Sequence, residues 1–225
     1  MSSQLTIHHL KRSQSERVIW LCEELGIPYK LELYDRQPPA MLAPEELRKL
    51  HWAETAPIIT DGEVTLAETN AIFEYILAKY GKGRLVLPPT DPNYADYVFW
   101  LHRTNGSIQP MLITEMFTRL KGDNQEDMLL KYSQTHIKRN FEAMERQLSK
   151  FPYLAGFQFT AADCITLFSL TTLRLFAPFS LEEYPSIVKY LARIGEREAY
   201  KRAMEKGDPG LVPVLGANAP EQTLF

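Results

Sequence analysis

A stretch rich in glycine and proline, "GKGRLVLPPTDP" at residues 81–92, breaks every hydrophobic period and divides the chain into two unlike parts. Before it, strand and helix patterns alternate. After it, every periodic segment repeats at three and four. A chain of 225 residues cut this way holds two domains. We place them at 1–82 and 93–225, with 83–92 as linker.

The first part reads in order. "QLTIHHL" (4–10) is a short strand, "SERVIWLCEELG" (15–26) a helix closed by Gly26, and "YKLELYD" (29–35) an alternating second strand. "APEELRKL" (43–50) is a short amphipathic helix. "APIITDGEVTLAE" (56–68) has the form of a hairpin around Thr-Asp-Gly, and "TNAIFEYILAKYG" (69–81) is a helix. The order βαβα then ββα requires a mixed sheet, because a hairpin is antiparallel. The second part reads as helices at 93–122, 126–151, 160–177, 185–198 and 199–207, followed by a tail at 208–225 without a period.

Charge excludes some functions. Residues 1–82 hold 9 Lys/Arg against 12 Asp/Glu, and the remainder hold 16 of each. Neither part has the basic excess of a nucleic-acid binder or a polybasic run for an anionic membrane. The longest apolar run, "ITLFSLTTLRLFAPF", is interrupted by Arg174 and Pro178 and reads as a buried helix. The N-terminal segment lacks the apolar core of a signal peptide. Cys22 and Cys164 form no CxxC, each lies in an apolar helical pattern, and a reducing cytosol fits them. No His/Cys cluster suggests zinc, and adjacent His8 and His9 point to opposite sides of a strand.

Three polar features lie at element starts. Ser13 and Ser15 stand where strand one passes into helix one: Ser15 as N-cap, Ser13 just outside, where a hydroxyl can donate to an anion at the helix start. Glu68-Thr69 opens the third helix and could grip a zwitterion, the hydroxyl and N–H of Thr69 taking a carboxylate and Glu68 an ammonium. In isolation the commoner reading is structural: a plain cap at Glu68-Thr69, and a polar loop serine at Ser13. Pro57 precedes Ile58-Ile59, the best strand signal of the hairpin. A trans proline opening a strand is the commoner arrangement; a cis bond would leave the backbone of Ala56 to pair with an extended peptide.

In this order and spacing, these features resemble the cytosolic glutathione transferases, over nearly the whole chain. "HHLKRSQSERVIWLCEELGIPYKLELYDR" looks most like the fungal and bacterial branch. The resemblance implies a thioredoxin-like N-terminal domain with a mixed four-stranded sheet, followed by an all-helical domain. It implies a cis bond at Pro57 and a Glu/Gln-Ser/Thr pair, here Glu68-Thr69, that holds the γ-glutamyl end of glutathione. It implies a catalytic serine four residues before an arginine; Ser13 stands four before Arg17, with Ser15 beside the ligand. "FTAADCITLF" resembles the family's capping box, here Thr160 and Asp163, which is structural. The chain departs from the family pattern at "HWAETAP": the basic residue that usually meets the glycyl carboxylate is Thr55, with His51 or Lys49 as substitutes and Glu54 adding negative charge.

The function so implied is conjugation of the glutathione thiolate to a small apolar electrophile, by a homodimer that uses glutathione as co-substrate and needs no metal. His102, Asn105, Gly106 and Gln109 are spaced to line the second substrate's pocket. Two alternatives stand beside it: a non-catalytic, transferase-like regulatory protein, and a glutathione-dependent peroxidase or pathway-specific transferase using the same site. A thioredoxin or glutaredoxin would need a cysteine at the start of helix one, and Cys22 lies two turns in.

Overall fold

The computed structural model describes residues 4–38, 41–122, 124–221 and 223. Its residues fall into two compact units. One comprises Met1–Val86 with Glu196–Pro213, the other Leu87–Gly195 with Val214–Phe225.

The first unit is built on four strands: β1 (Thr6–Leu10), β2 (Lys30–Tyr34), β3 (Ile58–Asp61) and β4 (Val64–Ala67). Their order is β2-β1-β3-β4, with β1 parallel to β2 and antiparallel to β3. The mixed sheet demanded by the hairpin is therefore present, and Ile7 sits at its centre, opposite Leu31 on one side and Ile59 on the other. Helix α1 (Glu16–Leu25) ends in a left-handed Gly26, whose successor Ile27 donates back to the Cys22 carbonyl. Helix α2 is one short turn (Glu45–Arg48), and it buries Leu47 in a cluster with Leu10, Ala56, Ile58 and Ala67.

Helix α3 (Thr69–Tyr80) is pinned to the hairpin by one buried carboxylate. Asp61 accepts from the hydroxyls of Tyr75 (2.9 Å) and Tyr80 (2.5 Å) and from the Lys79 ammonium (2.6 Å). The three donors lie at spacings of four and one along the last turns of α3, so the contact fixes the helix's rotation and hence where its first residues point.

In the second unit the single helix expected over 93–122 is interrupted. Helix α4 (Tyr94–Arg103) passes through a π-helical segment at Thr104–Ile108 into α5 (Gln109–Lys121). The extra residue per turn in a π segment shifts the helical phase, which periodicity of three and four cannot reveal. Helix α6 spans Met128–Leu148 and α7 Ala161–Leu170; all ten residues of α7 are buried. The segment expected to continue the helix to 177 becomes a 3₁₀ turn at Thr172–Leu175. Its Arg174 donates to the carbonyls of Phe179, Gly216, Ala217 and Asn218, which ties the terminal segment to this unit. Helix α8 covers Pro185–Gly195.

Helix α9 (Glu198–Gly207) belongs to the first unit, not to the helical one that sequence order suggests. The reason is charge pairing with α1. Arg197 meets Glu24 bidentately at 2.7 Å, and Arg202 and Lys206 meet the buried carboxylate of Glu23 at 2.8 and 2.5 Å. Trp20 and Tyr200 stack edge to face, 5.1 Å apart. No helix among the described residues is long and apolar enough to cross a membrane.

Candidate active site

The turn from β1 into α1 carries Ser13, which is 5% exposed. Its Oγ lies 2.7 Å from Ser15 Oγ and accepts the Ser15 backbone N–H at 3.2 Å. Ser15 holds the N-cap position but does not cap with its side chain, contrary to expectation. Its backbone is already α-helical (φ −68°, ψ −16°), and its hydroxyl turns inward to His9 Nδ1 at 2.7 Å. The first helical amides are satisfied by carbonyls instead, Glu16 N–H by Ser13 and Arg17 N–H by Gln14.

The Ala56–Pro57 peptide bond is cis. The Ala56 carbonyl receives the Gln14 side-chain amide at 3.0 Å, so one of its two lone pairs is already in use. Gln14 in turn accepts from Arg17 at 3.4 Å. Arg17 is 1% exposed; burial lowers its pKa to about 9, opposed by the charges of Glu16 and Glu68. In the sequence Arg17 serves only to locate Ser13. A charged residue in the buried stripe Val18, Leu21, Cys22, Leu25 is itself a signal, since a guanidinium buried there needs anionic neighbours.

Glu68 is exposed and precedes α3 with φ +74°, ψ +117°, a conformation L residues seldom adopt, while Thr69 is 1% exposed. Strain of this sort, about 1–3 kcal/mol, persists where the surroundings enforce it and gathers at functional sites. The substitute partners for a carboxylate are less available than expected. His51 Nδ1 already accepts the Ala53 N–H at 3.1 Å, which leaves Nε2 as its donor; Lys49 is exposed and pairs with Glu45 at 2.6 Å. The added charge of Glu54 is met by Arg48 at 3.6 Å.

The four residues expected to line a second-substrate pocket differ in exposure. His102 and Gly106 are exposed, Asn105 is half-buried, and Gln109 turns inward to accept the Ser169 hydroxyl of α7 at 3.4 Å. The π segment between them changes the phase that their spacing relied on. A hollow of about 590 Å³ in this unit is lined by other residues, among them Leu112, Met116, Leu120, Phe176 and Phe179. Cys22 is wholly buried, and burial pushes its thiol far up, as an inert core residue requires. Among the described residues, no three His, Cys, Asp or Glu side chains are arranged to hold a metal ion.

A mixed four-stranded sheet with a buried hydroxyl in its first turn, a cis-proline before β3 and an acidic-hydroxyl pair opening α3 are the features that the sequence resemblance anticipates. Residues 12–79 match the family model for the glutathione S-transferase N-terminal domain, and residues 108–198 match that for the C-terminal domain. Glutathione S-transferase 3 of Schizosaccharomyces pombe is 30% identical over 220 residues, covering 90% of this chain and 87% of that protein. A glutathione S-transferase structure from Actinobacillus pleuropneumoniae superposes with a TM-score of 0.81 at 32% identity, covering 92% and 94%. The transferase URE2P6 of Phanerochaete chrysosporium, solved with oxidized glutathione, superposes at 0.72 with 25% identity, covering 91% and 96%. The chain belongs to the glutathione S-transferase family.

Proposed function

We propose that the protein binds glutathione in the first unit and transfers its thiolate to a small apolar electrophile, with Ser13 as the catalytic residue. The arrangement of Ser13, Arg17, Ala56–Pro57 and Glu68-Thr69 around one corner of the unit supports this reading. The γ-glutamyl ammonium goes to Glu68 and its carboxylate to Thr69 at the positive start of α3, with the Arg17 charge behind. The Ala56 backbone pairs with the middle of the tripeptide, and His51 Nε2–H takes the glycyl carboxylate. Ser15 contacts the ligand only through Ser13.

A thiol with pKa near 8.5 is a few per cent ionised at neutral pH, and lowering it by two units needs about 2.7 kcal/mol of preference for the anion. A hydrogen bond from a hydroxyl to a charged sulfur contributes about 1.5–3 kcal/mol. The start of α1 adds about 0.3–1 kcal/mol. Ser13 accepts the Ser15 N–H, which strengthens its O–H as a donor once the sulfur is ionised. The serine is thus an anion stabiliser, and the nucleophile is the ligand's sulfur. A soft, desolvated thiolate attacks an activated halide, enone or epoxide carbon.

The reading also makes the protein a homodimer acting in a reducing cytosol, where both buried thiols stay free. Retention on immobilised glutathione, with turnover of an activated aryl halide that falls at least tenfold in Ser13→Ala, tests it. Retention without turnover by the native protein favours a non-catalytic binder; no retention contradicts the reading.

A further inference from the structure

Behind Ser13 lies a buried titratable pair that thiolate stabilisation alone does not use. His9 is wholly buried, with Nδ1 2.7 Å from Ser15 Oγ and Nε2 3.2 Å from Asp208 Oδ2. Asp208, at the end of α9, is 4% exposed, and its other oxygen accepts the Arg12 N–H at 2.7 Å. With Ser15 Oγ 2.7 Å from Ser13 Oγ, the row Asp208–His9–Ser15–Ser13 is continuous, from the core to the hydroxyl proposed to face the sulfur. Gly207 makes the row possible: a Cβ there would stand 3.2 Å from His9 Nε2 and 2.9 Å from Ile19 Cδ1.

A carboxylate has no hydrogen to give, so the Asp208 contact takes the one on His9 Nε2. Nδ1 is then bare and accepts the Ser15 hydroxyl. The 2.7 Å contact between the two serines then needs the hydrogen of Ser13. All three hydrogens point inward, and Ser13 Oγ is left as an acceptor toward the ligand. If Nδ1 gains a proton, the row reverses: Nδ1–H donates to Ser15, Ser15 to Ser13, and Ser13 outward to an anion. The competing acceptor for Ser15, the Leu10 carbonyl, is more distant at 3.4 Å.

We propose that the glutathione thiol is ionised through this row: the S–H hydrogen passes to Ser13 Oγ, that of Ser13 to Ser15 Oγ, and that of Ser15 to His9 Nδ1. One S–H bond breaks and one N–H bond forms; each hydroxyl gives one hydrogen and receives one. The product is a thiolate facing an outward-pointing Ser13 hydroxyl, and an imidazolium beside the Asp208 carboxylate. His9 and Asp208 act at one remove, as positioning residues that set the direction of the Ser13 donor. The charged groups beside the pair include Arg36, within coulombic reach of Asp208, and Arg12, whose N–H Asp208 holds. The inference rests on Ser13 meeting the sulfur, so its test separates the two.

The experiment titrates the thiolate absorbance of bound glutathione and counts protons released on binding, in native protein, Ser13→Ala, Asp208→Ala and Asp208→Asn. Melting temperature and glutathione affinity are recorded for each. The native protein should release well under one proton per thiolate formed, because His9 keeps it. Asp208→Ala should raise the thiol's pKa by about one unit, a tenfold loss of thiolate. In Asp208→Asn the Arg12 N–H claims the amide oxygen, so the NH₂ faces Nε2 and forces the hydrogen onto Nδ1. That variant should recover at least half of the lost thiolate but release a full proton per thiolate.

A role in folding alone would lower the melting temperature without moving either readout. One proton released per thiolate by the native protein overturns the relay, as does an unmoved pKa in Asp208→Ala. If Asp208→Ala does not fold, the native and Asp208→Asn proton counts decide. An unchanged thiol pKa in Ser13→Ala overturns the underlying reading and the relay with it.

Discussion

Removal of the Asp163 side chain should cost the second unit heavily. Its carboxylate accepts the Leu154 N–H at 3.0 Å, the Thr160 N–H at 2.9 Å, the Thr160 hydroxyl at 3.3 Å and the Tyr190 hydroxyl at 3.2 Å. Leu154, Thr160 and Tyr190 are at most 1% exposed, so water cannot replace the acceptor. In Asp163→Ala at least three donors are left buried and unpaired, at about 1–3 kcal/mol each, so the loss is at least about 3 kcal/mol. Against typical domain stabilities of about 5–15 kcal/mol, that threatens folding. Urea denaturation followed by circular dichroism measures it, and a loss below about 1 kcal/mol would refute the accounting.

The same residue gives a pH signature. Burial raises the Asp163 pKa from 3.8 to about 6, against the pull of its hydrogen bonds. An acid whose folded pKa is raised holds a proton in the native state that the unfolded chain lacks, so its contribution to stability grows as pH falls between the two values. From pH 7 to pH 5 the gain is about 1.3 kcal/mol. Other carboxylates titrate as well, so the quantity to follow is the difference between native protein and Asp163→Asn, which keeps one acceptor oxygen. A difference that is flat, or that shrinks toward pH 5, contradicts the assignment.

Three further outcomes follow from the site and the two cores. Glu68→Gln removes a charge-assisted bond of about 1.5–3 kcal/mol, so calorimetry should show glutathione affinity falling about 10- to 100-fold; less than twofold would remove Glu68 from the site. Gly207→Ala pushes a methyl into Ile19 and His9, an overpacking cost of about 1–3 kcal/mol that the helix-propensity gain of about 1 only partly offsets; a raised melting temperature would contradict it. Cys22 and Cys164 should resist thiol reagents in the native state and react on unfolding, because both are wholly buried; rapid native labelling of either would be inconsistent with this core.

Much of the first unit was legible because its signals are local. The hairpin turn, the period-four helices and Gly26 each declare themselves within a few residues, and the Thr160–Asp163 capping box, present in both directions, did so in the second unit. What was not legible depends on distance or phase. Asp208 reaches His9 across 199 positions, from a segment that reads as a structureless tail. Its place there depends on α9 pairing its cations with Glu23 and Glu24, a match no periodicity encodes. The Ser15 cap failed because a buried histidine competes for the same hydroxyl. The single helix expected over 93–122 hides the π segment at Thr104–Ile108, because a spacing of three and four does not reveal a change of phase.

The central claim is that Ser13 meets an ionised sulfur in the first unit. A crystal structure of the protein grown in millimolar reduced glutathione tests this most directly. The account predicts the sulfur within hydrogen-bond distance of Ser13 Oγ, and the γ-glutamyl end at Glu68 and Thr69. A sulfur turned away from Ser13, or a corner that stays empty while the protein turns over substrate, would contradict it.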